Sequence, residues 1–124
     1  YCGKGEWFLL TLKNIDIMSQ MLPNVSKASQ SLDVSVLHTL ILEKIFGIDK
    51  ENMAKQINLT YTKFFTEAID GVDKGEFQCS FVLNPTRVTE IRDVAAAGEK
   101  MPQKSTYFYP KMITGMVMNN LGVD

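Results

Sequence analysis

Between residues 57 and 83 the hydrophobic period of the chain changes twice, and that change narrows the folds open to it. Ile57, Leu59 and Tyr61 alternate with Asn58 and Thr60, the period-two pattern of a half-buried strand. Phe65, Ala68, Ile69 and Val72 then recur at three- and four-residue spacings up to Gly75, which reads as an amphipathic helix. Residues 77–83 return to an apolar run, and Ser80-Phe81-Val82-Leu83 is too hydrophobic for a surface edge strand. A strand, a helix and a strand in so short a span predict a βαβ unit with parallel strands and a right-handed crossover.

The flanking segments extend this expectation. Asp33 is a good N-cap, and Val36, Leu37, Leu40, Ile41 and Ile45 mark a helix that Gly47 closes. Residues 49–56 connect it to the βαβ unit, with room for one more helical turn. Val88, Ile91, Val94 and Ala95 give a further helix its buried stripe, with Gly98 past its end. Residues 107–109 and 113–118 can each supply a strand, separated by Pro110. Residues 13–32 are less regular. Ile15, Ile17, Met18, Met21 and Leu22 fit a short helical turn stopped at Pro23-Asn24, and residues 26–31 read as a polar loop. At the front, Gly3-Lys4-Gly5 followed by Glu6-Trp7-Phe8-Leu9-Leu10-Thr11-Leu12 reads as a hairpin turn and its second strand. On that reading Tyr1 begins where a first strand should already have ended. The expected fold class is α/β (with α+β as the alternative): one domain over residues 1–124, with a mixed sheet of about four to five strands and about three helices. The domain would be a C-terminal piece of a longer protein, with its strand edge at residues 6–12 left unpaired and open to self-association.

Charge and cysteines exclude several classes. The formal net charge of −1 leaves no basic excess to hold a polyanion, so nucleic acid is not an expected partner. Residues 112–123 form the longest uncharged run, short of the roughly 20 residues that cross a bilayer, so no membrane segment is expected. No basic region followed by an apolar core opens the chain, and a cytoplasmic location is the simplest expectation. Cys2 and Cys79 do not make a disulfide framework, and Cys79 reads as a small buried residue rather than a nucleophile. One histidine, His38, and two distant cysteines cannot build a zinc site, so no metal ligands are expected. His38 sits at the margin of its helix's apolar stripe and reads as a packed or surface residue.

The stretch richest in chemistry is residues 99–111. Lys100, Lys104 and Lys111 lie there with Glu99, the hydroxyls of Ser105 and Thr106 and three aromatics, and Pro102 and Pro110 restrict the backbone toward either end. Lys104-Ser105-Thr106 lacks the glycines of a P-loop, and Pro102 removes a backbone donor, so that motif is excluded. Two readings stay open. The stretch is either a long loop pinned by prolines and aromatics, or an anion pocket. In the second case Asn84 and Arg87, at the strand-to-helix turn, join Lys104, Ser105, Thr106 and Lys111 on a concave surface, since ligands of α/β sheets bind beyond the strand ends.

Here the sequence resembles a known family. LDVSVLHTLILEKIFGI, TEAIDGVDKGE and FVLNPTRVTEIRDVAAAGEKMPQKSTYFYPKMITGMV are similar to the carboxyl-terminal half of a bacterial family catalogued as domain of unknown function 1015, with MPQKSTYFYPK its most specific part. Members of that family are much longer, and residues 13–31 match no pattern in it. The resemblance implies a cytoplasmic protein, and it associates the chain with phosphorylation of free L-serine. Such chemistry would use ATP and Mg, with cations for the phosphates and a carboxylate to position the hydroxyl or the magnesium. Lys104, Lys111, Arg87 and Glu99 would supply part of it, with Glu99 and Lys104 as the catalytic candidates.

Two function classes follow. The first is one half of a small-molecule phosphotransferase, holding a small anionic ligand and completed by an N-terminal half of the same protein. The second is a non-catalytic module that stabilises or oligomerises a larger protein, marked by a broad apolar surface.

Overall fold

Short helices joined by irregular segments make up the described part of the chain. The computed structural model describes residues 1–107. The strand expected at residues 113–118, most of that expected at 107–109, and Lys111 lie outside the described residues. Six α-helices run in order: α1 (Asp16–Met21), α2 (Lys27–Gln30), α3 (Asp33–Val36), α4 (Lys50–Lys55), α5 (Phe65–Asp73) and α6 (Val88–Ala96). Helix α3 continues without a break into a π-helical segment, Leu37–Glu43. Helix α2 is the hub, packing against α1, α3 and α6.

The α/β expectation is corrected. Helix accounts for 42% of the described residues, and no β-strand or sheet occurs among them. The predicted βαβ unit is therefore absent. Its helix exists as α5, but the flanking runs build no sheet: helix ends take their leading amides, and in the second run Ser80 exchanges its backbone bonds with Tyr1. The Ile57 N–H donates to the Asn52 carbonyl (3.2 Å) and the Asn58 N–H to the Asn52 side chain (3.1 Å), completing the C-terminus of α4. Gln56, in the left-handed region at φ 51°, turns the chain to make that possible. At the other run the Glu76 and Phe77 amides both donate to Gly71 of α5 (2.9 and 3.2 Å). An alternating pattern specifies a strand only where a partner offers its own backbone, and here the neighbouring helix offers it first.

The helix expected from Asp33 is present, but its buried face is rotated. Val34, Ser35, Thr39 and Leu42 are buried, whereas Ile45, expected in the apolar stripe, is exposed. Hydrogen bonds from Lys44 to Thr39 (3.3 Å) and from Phe46 to Ile41 (3.0 Å) span five residues, and the wider coil shifts which side chains share a face. Asp33 does not cap. Leu32 occupies the N-cap position, and the Asp33 carboxylate instead accepts a hydrogen bond from Asn84 Nδ2 (2.8 Å). Gly47 turns the chain after the segment at φ 69°. Residues 26–31, expected as a polar loop, contain α2, whose N-cap Ser26 accepts the Ser29 N–H (3.2 Å).

The core sits where α2, α3 and α6 meet. Leu32, Val34 and Val94 form one cluster, with Ala28 and Met101 packed against it. Met18, Leu42, Met53 and Val72 are buried elsewhere. At the front of the chain the hairpin turn exists without strands. Gly3, Lys4 and Gly5 all have positive φ, and Glu6 N–H bonds back to the Gly3 carbonyl (2.9 Å). Residues 6–12 leave this turn without regular secondary structure.

Candidate functional site

A cleft of about 450 Å³ opens beside the hub helix. Its walls come from the α1–α2 connection (Leu22, Asn24, Val25), from Ser29 of α2 and Ser35 of α3, and from His38, Thr39 and Glu43 of the π-helical segment. Lys50 and Met53 of α4 and the residues Glu99, Lys100 and Pro102 complete it. Two lysines face two glutamates here, so the cleft carries balanced charge rather than the cationic excess of a phosphate trap.

Glu99 is the most constrained polar side chain of the cleft. One carboxylate oxygen accepts the Ser26 N–H (2.7 Å). The other accepts the Ser26 hydroxyl (2.7 Å) and the Ser29 hydroxyl. These donors, chiefly the Ser29 and Ser26 hydroxyls, hold its carboxyl below the usual glutamate range. Its lone pairs are directed at the start of α2, so it acts as a clasp between the 99–102 segment and the hub helix. A carboxylate held in this way is a poor proton acceptor, because the bonds that fix it favour its charged form.

Beneath it, Gln30 is buried and well satisfied. Its Nε2 donates to the Leu22 and Val25 carbonyls (both 2.8 Å), and its Oε1 accepts from the Ser19 hydroxyl (2.9 Å). The α1–α2 connection is thus held by one amide. His38 is half-buried, with its ring edge-on to Tyr61 at 6.2 Å between centroids. Burial lowers its pKa, which keeps the imidazole neutral near pH 7. No hydrogen bond among the described residues links His38 to Ser29, Ser35 or Thr39, so no nucleophile is activated by it in this geometry.

The residues singled out in the sequence are distributed as follows. Glu99 lies in the cleft wall, as the clasp. Lys104 is exposed, at φ 58°, on a turn closed by Ser105, whose hydroxyl and N–H both reach the Pro102 carbonyl (2.6 and 3.3 Å). The Thr86 hydroxyl donates to the Ser105 carbonyl (3.0 Å), which brings the 84–87 turn and the loop together. The polar groups of that turn engage elsewhere. Asn84 bonds Asp33, and the Arg87 N–H bonds the Glu90 carboxylate (2.6 Å) at the start of α6. Asn84, Arg87, Lys104 and Thr106 are all exposed and line no part of the cleft. Tyr107 receives the Lys63 ammonium both as a hydrogen bond (2.9 Å) and over its ring (4.2 Å).

Ser29, Ser35, Thr39, Glu43 and Lys50 carried no signal in the sequence, because their convergence depends on the π-helical turn and on the packing of α2. No cluster of three or more His, Cys, Asp or Glu residues able to hold a metal ion occurs among the described residues. No described helix is long and apolar enough to cross a membrane. Comparison with protein-family models, with curated proteins and with solved structures finds no match for this chain.

Proposed function

We propose that this chain is a non-catalytic interaction module that associates with a second copy of itself through the apolar ribbon at residues 7–10. The observation that carries the reading is the exposure of four successive large apolar residues: Trp7 51%, Phe8 65%, Leu9 94% and Leu10 63%. Soluble surfaces tolerate single exposed apolar residues, but a contiguous patch signals a covered face. A like partner is favoured because a segment outside any helix or strand can pair edge to edge with its own copy, each satisfying the other's amides. Scaled by these exposures, burying the four side chains contributes roughly 4–8 kcal/mol. Association costs about 4–15 kcal/mol in lost freedom. The balance suits a weak, concentration-dependent complex. The test is sedimentation equilibrium over a range of micromolar concentrations, with wild type beside Leu9→Lys. Self-association of the wild type that the variant loses supports the module. A wild type that stays monomeric throughout refutes it.

A second reading, one half of a small-molecule phosphotransferase, rests on one feature: Lys50 and Lys100 line a cleft of small-ligand size, where Glu43 and Glu99 balance their charge. Thermal scanning of the protein with phosphate, ATP with Mg, and L-serine tests it. A ligand that binds the folded state raises the melting temperature by mass action. No shift with any of the three removes this reading and leaves the first.

A further inference from the structure

Tyr1 and Ser80 exchange both of their backbone hydrogen bonds. The Tyr1 amine donates to the Ser80 carbonyl (2.9 Å) and the Ser80 N–H to the Tyr1 carbonyl (2.9 Å). Such reciprocal exchange is the hydrogen-bonded pair of an antiparallel ladder. The next residues, one forward on one segment and one back on the other, then face each other as a non-hydrogen-bonded pair with Cα atoms about 4.5 Å apart. Those two residues are Cys2 and Cys79. The Cys2 N–H donates instead to the Glu6 carbonyl (3.2 Å), away from the facing segment, as the alternation of such a pair requires. A disulfide spans Cα separations of about 4.4–6.8 Å, and the separation ordinary for such a pair falls within that reach.

Both cysteines are free thiols, Cys2 exposed and Cys79 half-buried. Burial first, and the neighbouring Cys2 second, push the Cys79 thiol above its ordinary pKa, while the nearby terminal amine opposes them.

We propose that Cys2 and Cys79 are a reversible thiol switch, closing to an intramolecular disulfide that pins the 1–6 turn to residues 77–80 when a small-molecule disulfide is the oxidant. The exposed Cys2 thiolate attacks one sulfur of the oxidant, forming a mixed disulfide and releasing one thiolate. The Cys79 thiolate then attacks the Cys2 sulfur, the Cys2–Cys79 bond forms, and the second thiolate leaves. Two electrons pass from the cysteines to the oxidant, and the two protons end on its released thiols. Trp7 follows the turn directly and stacks on Phe65 (5.9 Å between centroids), so closure also tethers the start of the apolar ribbon.

A chain with two cysteines can join them even when unfolded, so the decisive measurement is the effect of the fold. The full chain is equilibrated with reduced and oxidised glutathione, in native buffer and in concentrated urea, then acid-quenched and weighed by mass spectrometry. The closed form is two hydrogens lighter than the dithiol and carries no glutathione. The expected result is an equilibrium constant for closure at least about tenfold larger in native buffer than in urea, a potential about 30 mV more negative. An equal or smaller native constant overturns the proposal. So does a native sample dominated by glutathione adducts or by disulfide-linked dimers.

Discussion

Replacing Leu32 by Ala tests where the interior of this protein lies. Leu32 is 2% exposed and stands at the junction of α2 and α3, in contact with the cluster that includes Val34 and Val94. The substitution removes three carbons. At about 0.8 kcal/mol for each buried methylene, the lost transfer term is about 2.4 kcal/mol. A cavity term adds to this, and core Leu→Ala changes cost about 2–5 kcal/mol altogether. With part of the cluster contributed by the adaptable Met101, some collapse into the space is expected, and about 3 kcal/mol is the working figure. A small domain has about 5–15 kcal/mol in all, so the loss is a large share of its stability. Urea unfolding followed by circular dichroism reads it. With a slope of about 1–3 kcal/mol per molar urea, the midpoint should fall by about 1–3 M, with the slope unchanged. Leu9→Ala is the control, because Leu9 is 94% exposed. At protein concentrations below those of self-association it should cost under about 0.5 kcal/mol. A near-neutral Leu32→Ala, or a Leu9→Ala that costs as much as a core truncation, would refute this assignment of the interior.

Two further outcomes follow from local geometry. The folded pKa of Glu99 is lowered, so its clasp stabilises the protein above the ordinary glutamate value of 4.5, and that contribution is lost as pH falls through the lower folded value. Urea midpoints measured across this acid range should decline for the wild type and decline less steeply for Glu99→Gln; identical profiles would remove the clasp. Gly71 lies under Phe77, and a Cβ there would stand 2.7 Å from the Phe77 ring. Gly71→Ala should therefore destabilise the protein, yet in a Phe77→Ala background it should stabilise by about 0.5–1 kcal/mol, the ordinary helical gain of Ala over Gly. The same sign in both backgrounds would show that the ring imposes no constraint.

Helices were far more legible in this sequence than the pairing of extended segments. The periodic stripes around Ile69 and Val94 lie on α5 and α6, and Gly75 and Gly98 take positive φ just beyond them. Those signals are local, since a helix satisfies its own backbone within four residues. The strands were misread because a ladder needs a partner whose identity no local pattern states. Ile57 and Phe77 begin apolar runs of strand-like composition, yet their amides complete α4 and α5. The rotation of the α3 face had a different cause. Stripes were counted at the α-helical period, and a π-helical segment moves Thr39 and Leu42 inward while leaving Ile45 outside.

The candidate site shows the same division between composition and topology. Residues 99–111 drew attention through their density of charged and hydroxyl groups, and Glu99 does line the cleft. Its hydrogen bonds, however, come from Ser26 and Ser29, 73 and 70 residues away, a partnership that no local pattern states. In the same way Cys2 and Cys79 are remote in sequence, and the backbone exchange between Tyr1 and Ser80 sets them opposite each other. Where a side chain's role is set by distant partners, residue type gives its capacity and the fold selects its use. A carboxylate bonded to donors that favour its charge becomes a weaker base, whereas a thiol facing another thiol gains a reaction that neither has alone. The polar cleft and the thiol pair therefore call for different experiments, one on binding and one on redox equilibrium, and neither result predetermines the other.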